Sequence, residues 1–170
     1  MSRAMNEKMS RIEAVSVEGT GRLSVKWRGK TRRDIVNLLG WIATGGKILA
    51  PLMVPTIFSK ASVGNYGAAI VWDDGDLAID AQHLMLLADE QKKFDERDAK
   101  RWQEQVGLSN NEVADLFKIS TSTWCSYKAG GAEIPATIAM LCRAMLRDPV
   151  LMQAHYRPRI NGRPPKRAAS

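Results

Sequence analysis

The chain has 170 residues, of which 45% are hydrophobic and 25% are charged, a composition that excludes a largely disordered protein and allows one core or two small ones. Two cysteines are too few for a disulfide framework, and no apolar run approaches the roughly 20 residues of a membrane span. We therefore expect a protein of the reducing cytoplasm, with no structural metal, no cofactor and no membrane partner.

Charge is distributed unevenly along the chain. The first 33 residues hold nine basic and three acidic residues, residues 34–155 hold 11 basic and 15 acidic residues, and the last 15 hold five basic residues and no acid. The net charge of +7 therefore comes from the two ends. Because basic surface attracts phosphate regardless of sequence, the pattern indicates either solvated termini or a polyanion as partner.

The first elements along the chain have the pattern of strands. The segments IEAVSV (12–17) and RLSVKW (22–27) alternate in polarity, which is typical of half-buried strands. A third strand is predicted within TRRDIVNLL (31–39). The short connections between the three favour an antiparallel meander.

The next stretch, residues 40–90, mixes breakers with short apolar runs. Glycines and prolines between Gly40 and Pro55 predict a broken helix and a loop that cover one face of the sheet. GNYGAAIVW, DDGD and LAID predict a strand, a turn and a short strand, and residues 81–89 predict a helix that docks on the sheet. Four aspartates lie in this region: Asp73, Asp74, Asp76 and Asp80. They lack the spacing of a calcium loop, so we interpret them as a polar turn.

A polar segment without proline or glycine, residues 89–105, favours helix throughout. We place a domain boundary near residue 90. The sequence thus predicts an α+β protein: a small antiparallel-sheet α+β domain (1–90) for sensing, dimerisation or partner binding, an all-α domain (91–155), and a basic disordered tail (156–170).

Short helices with clear end signals are predicted in the all-α domain. Ser109 with Glu112 three residues later forms a capping box. Ser120 caps a second helix, which ends at the glycines after Ala129. Pro135 begins a third helix, since proline is favoured in the first turn.

Residues 101–147 resemble the Cro and phage-repressor class of helix-turn-helix domains. The resemblance is carried by Leu108, Ser109, Ala114, Ile119, Ser120, Trp124, Tyr127, Gly130, Ile134, Pro135, Ile138 and Leu141. In that class a small residue stands at the Ala114 position so that the two helices can approach, and the positions of Trp124 and Tyr127 are buried.

Two residues depart from the pattern. Lys118 stands where glycine is usual, which implies a left-handed backbone at a non-glycine residue, and Trp124 is larger than the usual Ile or Val, so the core around it must be rearranged.

The resemblance implies that Thr121, Ser122 and Ser126 face the bases. Because hydroxyl groups donate to or accept from almost any base, we expect modest direct readout, with phosphate contacts and DNA shape supplying much of the binding. The predicted DNA-binding residues are Ser120, Thr121, Ser122, Thr123, Ser126, Lys118, Lys128 and Arg163. The alternative is that the serines and threonines are helix caps and solvated surface and that the lysines are solvated.

Two further stretches resemble known modules. INGRPPKR (160–167) is similar to an AT-hook, in which arginine lies in the minor groove, although Asn161 stands where the full hook has a basic residue; a solvated basic tail is the alternative.

Residues 12–90 resemble a small α/β domain of uncharacterised function found in short bacterial proteins, through the meander ending in IVNLL and the later AAIVW–DDGDLAID. Some such proteins are encoded beside small toxins, and some carry a helix-turn-helix, which implies sensing, dimerisation or toxin binding.

These observations lead to two hypotheses. The first is a bacterial cytoplasmic transcriptional regulator that binds double-stranded DNA sequence-specifically, as a homodimer. The second is an antitoxin or other interaction module whose α+β domain binds a partner protein. We do not expect an enzyme, because the sequence contains no nucleophile–base pair, phosphate-binding loop or metal cluster.

Overall fold

The computed structural model describes residues 9–159, and the chain divides into two compact units, Met1–Lys92 and Lys93–Ser170. Over residues 9–92 the N-terminal unit combines two small antiparallel sheets with helices, and the described part of the C-terminal unit is helical. The α+β class predicted from the sequence is confirmed. No helix within the described residues has both the length and the apolar character that a membrane crossing requires.

The first sheet is the predicted meander, with strand order β1–β2–β3 and antiparallel pairing throughout. The alternation in RLSVKW buries Leu23, Val25 and Trp27 on one face, and Ser24 is also buried, at 3% exposure. The strands are β1 (Ile12–Val17), β2 (Arg22–Trp27) and β3 (Arg33–Asn37).

The second sheet holds the predicted strand–turn–strand and one strand that the sequence did not predict. Its strands are β4 (Ser62–Gly64), β5 (Ala69–Trp72) and β6 (Leu77–Asp80), paired antiparallel in that order. Gly67, between β4 and β5, has a φ of +87°, and an added Cβ would lie 2.4 Å from the carbonyl oxygen of Ile12. Glycine is therefore required where this sheet approaches β1.

The helices of the N-terminal unit confirm the predicted broken helix and the predicted docking helix. They are α1 (Leu39–Thr44), α2 (Gly46–Leu49), α3 (Pro55–Phe58) and α4 (Ala81–Gln91), with a 3-10 turn at Ala50–Met53. At the start of α4 the backbone N–H of His83 donates to the side chain of Asp80, 2.8 Å away. Large side chains form the core of this unit, among them Trp27, Leu38, Leu52, Phe58, Ile70, Trp72, Ile79 and Leu84.

The prediction of an uninterrupted helix through residues 89–105 is wrong. Helix α4 ends at Gln91, and α5 (Glu96–Val106) begins only after Asp95. The side chain of Asp95 accepts hydrogen bonds from the N–H groups of Arg97 and Asp98, and Asp98 accepts from the N–H of Asp95. This reciprocal capping box stabilises a helix start inside a segment whose propensity favours continuous helix.

Within residues 93–159 the C-terminal unit packs five helices around an aromatic centre. After α5 they are α6 (Asn110–Phe117), α7 (Thr121–Ala129), α8 (Ala136–Arg147) and α9 (Pro149–His155). The large indole of Trp124 is accommodated by three other aromatic rings, whose centroids lie 5.3–6.4 Å from a neighbouring ring: Trp102, Phe117 and Tyr127. These rings surround the indole of Trp124.

The first residues of the predicted disordered tail are held against α6. The hydroxyl of Tyr156 donates to Oε1 of Glu112 across 2.5 Å, and Arg159 donates twice to the carboxylate of Asp115, at 2.7 and 2.9 Å. The prediction of disorder from residue 156 onward is therefore wrong for residues 156–159. It overlooked an aromatic residue that packs on the core and an arginine with a carboxylate in reach. Residues 160–170 lie outside the described residues.

Candidate nucleic-acid interface

Residues 118–120 form the tight turn between α6 and α7. Lys118 has φ +58° and ψ +40°, so the left-handed backbone predicted at this position is confirmed. Its N–H bonds back to Asp115, and the N–H of Ile119 donates to the carbonyl of Ala114 across 3.0 Å. This conformation closes α6 and lets the chain reverse within three residues.

Helix α7 has one face packed in the core. Trp124 is fully buried and Tyr127 is 8% exposed, as the resemblance implied. The indole N–H of Trp124 donates to Oε1 of Gln103 across 2.9 Å, and Nε2 of Gln103 donates to the carbonyl of Leu108 and to Oδ1 of Asn110. One glutamine on α5 thereby connects α7 to the segment that begins α6.

The predicted hydroxyl residues gather at the N-terminus of α7. Ser120 caps the helix, since its Oγ accepts from the N–H of Thr123 across 3.0 Å. The same Oγ lies 2.9 Å from Oγ of Ser122 and 2.7 Å from Oγ1 of Thr123. Ser120 and Ser122 are exposed and Thr123 is half-buried. The capping role proposed for these residues is thus present for Ser120, while Ser122 presents its hydroxyl at the surface.

Two of the predicted residues bond to asparagines of α6. Thr121 donates its hydroxyl to Oδ1 of Asn111 across 2.8 Å, and Lys128 donates from Nζ to Oδ1 of Asn110 across 2.6 Å. Lys128 is therefore held in place by a neutral partner and keeps its charge uncompensated in these contacts. The amide nitrogen of Asn111 has no hydrogen-bond partner within residues 9–159.

The remaining predicted residues are placed as follows. Ser126 is half-buried on α7, and its hydroxyl has no hydrogen-bond partner among the described residues. Lys118 is exposed at the turn. Arg163, with the AT-hook-like stretch 160–167, lies outside the described residues. Arg143 stacks its guanidinium over the ring of Phe94, 5.4 Å from the centroid.

Asn110 and Asn111 belong to this surface, and the sequence analysis missed them. They are the first two residues of α6, directly after the cap Ser109. The available signal was an Asn-Asn pair in the first turn of the helix that precedes the turn. Amide side chains there can pair with an adenine edge or with phosphate. We define the α6–α7 surface as Asn110, Asn111, Lys118, Thr121, Ser122, Ser126 and Lys128.

Two nearby carboxylates are engaged by other groups of the chain. The guanidinium of Arg159 holds the pKa of Asp115 below its usual value by hydrogen bonding and by charge. Glu112 is 2% exposed, and its Oε2 accepts from the N–H of Ser109 across 2.8 Å. Within the described part of the chain, no three His, Cys, Asp or Glu side chains are grouped so as to hold a metal ion, and the four aspartates of residues 73–80 lie at a turn and the short strand after it.

No protein-family model matches the chain, and no curated protein matches it. The chain is similar to a crystal structure of a proposed DNA-binding protein from Nitrosomonas europaea. The two chains are 20% identical, and the match covers 81% of this chain and 86% of that one, with a TM-score of 0.44. A functional assignment therefore depends on the geometry of this chain.

Proposed function

We propose that the chain is a sequence-specific DNA-binding transcriptional regulator in which α6, the turn and α7 act as a Cro-type helix-turn-helix. The observation that carries the proposal is the two-sided character of α7. Its aromatic residues, Trp124 and Tyr127, are buried, while Ser122 is exposed and Ser126 has a hydroxyl with no described partner. A helix that is fixed on one side and presents small polar groups on the other can approach the floor of a major groove.

The electrostatics of the α6–α7 surface support the same proposal. The side chains of Asn111 and Thr121, at the starts of α6 and α7, are bonded to each other, so both helix starts contribute to one surface. Helix N-termini carry partial positive charge and free N–H groups, which favour phosphate. Lys118 and Lys128 add full positive charges at the edges. Phosphate contacts would thus fix the orientation, and short hydroxyls would read the bases weakly.

We further propose that the regulator acts as a homodimer that reads two half-sites about 34 Å apart. The supporting observation is the exposure of large apolar side chains on the last helices, with Met140 60% exposed and Val150 64% exposed. Light scattering on the free protein should give twice the chain mass, and Met140→Lys should shift the population toward monomer. A monomeric wild-type protein that protects a single half-site would contradict this part of the proposal.

The decisive experiment introduces a negative charge on α7 without unfolding it. Ser122 is the second residue of α7, where a carboxylate interacts favourably with the helix N-terminus. Ser122→Glu should therefore preserve the thermal stability and reduce affinity for a duplex selected from a random pool at least tenfold, through repulsion by phosphate. The matched control is Thr56→Glu, an exposed hydroxyl residue that is also second in its helix, α3. Equal affinities for the two variants would contradict DNA binding through α7.

Base reading by the hydroxyls has a separate test. Ser122→Ala combined with Ser126→Ala removes both hydroxyls and keeps the charge of the surface. The double variant should lose preference for the selected site over random duplex, while the slope of affinity against salt stays unchanged because phosphate contacts determine that slope. An unchanged preference would assign the readout to DNA shape or to other residues.

One observation favours the second candidate, an antitoxin or other module that binds a partner protein. Strand β3 is an edge strand, and the N–H and C=O of its last residue, Asn37, bond to the side chain of Gln91 and not to β2. By alternation the N–H and C=O groups of Ile35 face the same outer side of β3, against which α4 also packs, and the side chain of Ile35 is 53% exposed. An extended segment of a partner could pair with these groups by displacing Gln91 of α4 from Asn37.

The edge has its own test. Ile35→Pro removes an N–H that faces away from β2, so the meander should keep its internal hydrogen bonds. A partner identified by co-purification with the wild-type chain should be lost from this variant, whereas DNA binding should persist. Retention of the partner by the variant would exclude strand addition at β3.

A further inference from the structure

A cleft lined by three cations lies at one end of the first sheet. It has a volume of about 400 Å³, and its walls include Arg11, just before β1, and the turn that follows β2, residues 27–30. The backbone N–H of Arg28 donates to the carbonyl of Arg11 across 2.8 Å, which holds the two segments side by side. Because Arg11, Arg28 and Lys30 all line the cleft, their positive charges converge on one small volume.

These three cations are not paired with any described carboxylate. In the chain from residue 9 to residue 159, none of Arg11, Arg28 and Lys30 forms an ion pair. The ammonium of Lys30 lies 5.9 Å from the centroid of the Trp27 ring, which is an uncharged neighbour. Asp34, at the start of β3, accepts a hydrogen bond from the indole N–H of Trp27 across 2.8 Å and does not line the cleft. The cleft therefore favours a ligand that carries several negative charges.

A backbone donor adds to the cleft. Gly29 lines it with a φ of +79°, and an added Cβ there would meet no heavy atom within 4 Å. The N–H of Lys30 closes the turn by donating to the carbonyl of Trp27 across 3.1 Å, whereas the N–H of Gly29 has no hydrogen-bond partner within residues 9–159. Backbone N–H groups and cations together bind phosphate oxygens. The anion that fits this cleft is therefore a phosphate or a diphosphate.

An exposed tyrosine stands beside the cleft. Tyr66, between β4 and β5, is 94% exposed, and Nη2 of Arg28 lies 3.5 Å from its carbonyl oxygen. The next residue, Gly67, packs against the backbone of Ile12, which directly follows Arg11. These two contacts place the β4–β5 loop next to the cleft. Because exposed aromatic rings stack on bases, a stacking surface and a set of phosphate-binding cations lie close together.

The backbone of Tyr66 is strained. It has φ +56° and ψ +35°, a left-handed conformation that bulky residues rarely adopt. The loop between β5 and β6 has the same succession of positive φ values, at Asp73, Asp74 and Gly75. There an aspartate, which tolerates this conformation, occupies the position that corresponds to Tyr66. Strain at a fully exposed side chain is not offset by packing, and such outliers are found at binding sites.

We propose that this cleft binds a nucleoside diphosphate, with the two phosphates held by Arg11, Arg28 and Lys30 and the base stacked on Tyr66. The phosphate oxygens accept from the guanidinium groups, the ammonium and the N–H of Gly29. The volume of about 400 Å³ lies within the roughly 300–1,000 Å³ of small-molecule sites. All of these residues belong to the N-terminal unit, so the proposal does not depend on DNA binding by the C-terminal unit.

Calorimetric titration of the full chain tests the class of ligand. The probes are the diphosphates of adenosine, guanosine, cytidine and uridine, and the comparisons are pyrophosphate, which lacks the ring, and the parent nucleosides, which lack the phosphates. At least one diphosphate should bind about fivefold or more tightly than pyrophosphate, because of base stacking, and about tenfold or more tightly than its nucleoside, because of charge-assisted hydrogen bonds. Binding of pyrophosphate as tight as that of all four diphosphates, or binding of none of them, would overturn the proposal.

Two arginines of the same strand region separate the cleft from overall charge. Arg28→Gln removes a cation that lines the cleft and should weaken binding of the diphosphate about tenfold. The matched control is Arg22→Gln, at an exposed arginine that begins β2 and does not line the cleft, and it should bind as the wild-type chain does. Equal losses in the two variants would mean that binding follows net charge, and would overturn the assignment of the site.

Substitutions at Tyr66 separate stacking from structure. Tyr66→Phe keeps the ring and should bind the diphosphate as the wild-type chain does. Tyr66→Asn removes the ring and adopts the left-handed backbone more readily, so it should raise the thermal midpoint while it weakens binding about fivefold or more. Full affinity in the Tyr66→Asn chain would show that the ring does not contact the ligand, and would overturn stacking on Tyr66.

A single-stranded nucleic acid carries the same phosphates and bases, so a single-stranded oligonucleotide completes the titration. If no nucleoside diphosphate binds, but the oligonucleotide binds and Arg28→Gln weakens it, the cations contact a nucleic acid and the small-ligand proposal is wrong. The proposed function is tested separately by Ser122→Glu, a variant of the other unit, with a selected duplex. Failure of the nucleotide site and failure of DNA binding through α7 are therefore distinguishable.

Discussion

Trp124 on α7 donates its indole N–H to the side-chain oxygen of Gln103 on α5, across 2.9 Å. The indole is fully buried, so this oxygen is its hydrogen-bond partner in a place that water does not reach. Gln103 also bonds to Leu108 and Asn110. The orientation of the α6–α7 surface thus depends on one amide side chain outside that surface.

We expect Gln103→Ala to destabilise the C-terminal unit by about 2 kcal/mol, because a buried donor left without a partner costs about 1–3 kcal/mol. Urea unfolding followed by far-ultraviolet circular dichroism measures the change. Gln105→Ala is the matched control, since Gln105 is exposed on the same helix and surface changes stay within about 0.5 kcal/mol. Similar losses for the two variants would show that the Trp124 contact contributes little.

The turn residue Lys118 combines backbone strain with a surface charge. A non-glycine residue in the left-handed region costs about 1–2 kcal/mol, and glycine avoids this cost. Glycine also has greater conformational freedom in the unfolded chain, which offsets roughly 0.5–1 kcal/mol of that gain. Lys118→Gly should therefore raise the free energy of unfolding by about 0.5–1 kcal/mol. If Lys118 contacts a phosphate, the same variant should weaken DNA binding and lower the salt slope by about 1.

A second lysine provides the control for Lys118. Lys100 lies within α5 and is exposed, and glycine inside a helix destabilises by about 1 kcal/mol. Lys100→Gly should thus lower stability, with the sign opposite to that of Lys118→Gly. Loss of stability in both variants would mean that the left-handed backbone at the turn carries no strain that glycine relieves.

Features that depend on neighbouring residues were predicted from the sequence. The caps Ser109 and Ser120 follow from contacts within a few residues, whereas the left-handed Lys118 and the burial of Trp124 and Tyr127 were implied by the resemblance. Their physical causes, which are hydrogen bonds to the first turn and the 3.6-residue period, are local. The ends of α6 and α7 could for this reason be predicted from the sequence.

Features that depend on distant residues were not predicted. The three residues of β4 carry no alternation of their own and are defined by pairing with β5. The role of Asn111 depends on Thr121, ten residues later, and the order at Arg159 depends on Asp115, 44 residues earlier. A composition-based prediction of disorder cannot anticipate such a contact, because it considers only the segment itself.

The capping box at Asp95 gives a prediction about pH. The pKa of Asp95 lies below its ordinary value of 3.8 because the backbone N–H groups of Asp98 and Arg97 donate to its carboxylate. A lowered pKa in the folded state means that the contribution to stability is present above about pH 4 and is lost as the pH falls through the folded-state pKa. Asp95→Asn keeps a capping side chain and removes the titration.

We therefore expect the difference in thermal midpoint between the wild-type chain and Asp95→Asn to shrink or reverse between about pH 5 and about pH 2. Asp76→Asn, at an exposed aspartate of the N-terminal unit, is the control and should follow the wild-type pH profile more closely. Parallel profiles for the wild-type chain and Asp95→Asn would indicate that the cap at Asp95 does not favour the ionised carboxylate.

The two cysteines differ in accessibility. Alkylation of the accessible one can therefore report whether a bound duplex covers α7. Burial raises the pKa of the Cys142 thiol to about 12, so its thiolate is scarce at neutral pH and the thiol should resist alkylation. Cys125 is half-exposed on α7, one turn after Ser122 and next to Ser126. In the native chain iodoacetamide should modify Cys125 alone, whereas both thiols should react in denaturant, as measured by intact mass.

A bound duplex should protect Cys125 if α7 enters the groove, because Ser122, Cys125 and Ser126 lie on the same side of the helix. The rate of alkylation should fall as the selected duplex saturates the protein and should recover at a salt concentration that dissociates the complex. Cys125→Ser, which should remove the fast reaction, verifies the assignment. An unchanged rate at Cys125 in a saturated complex would place the duplex on another surface, since no groove-bound helix could leave that thiol equally open to the reagent.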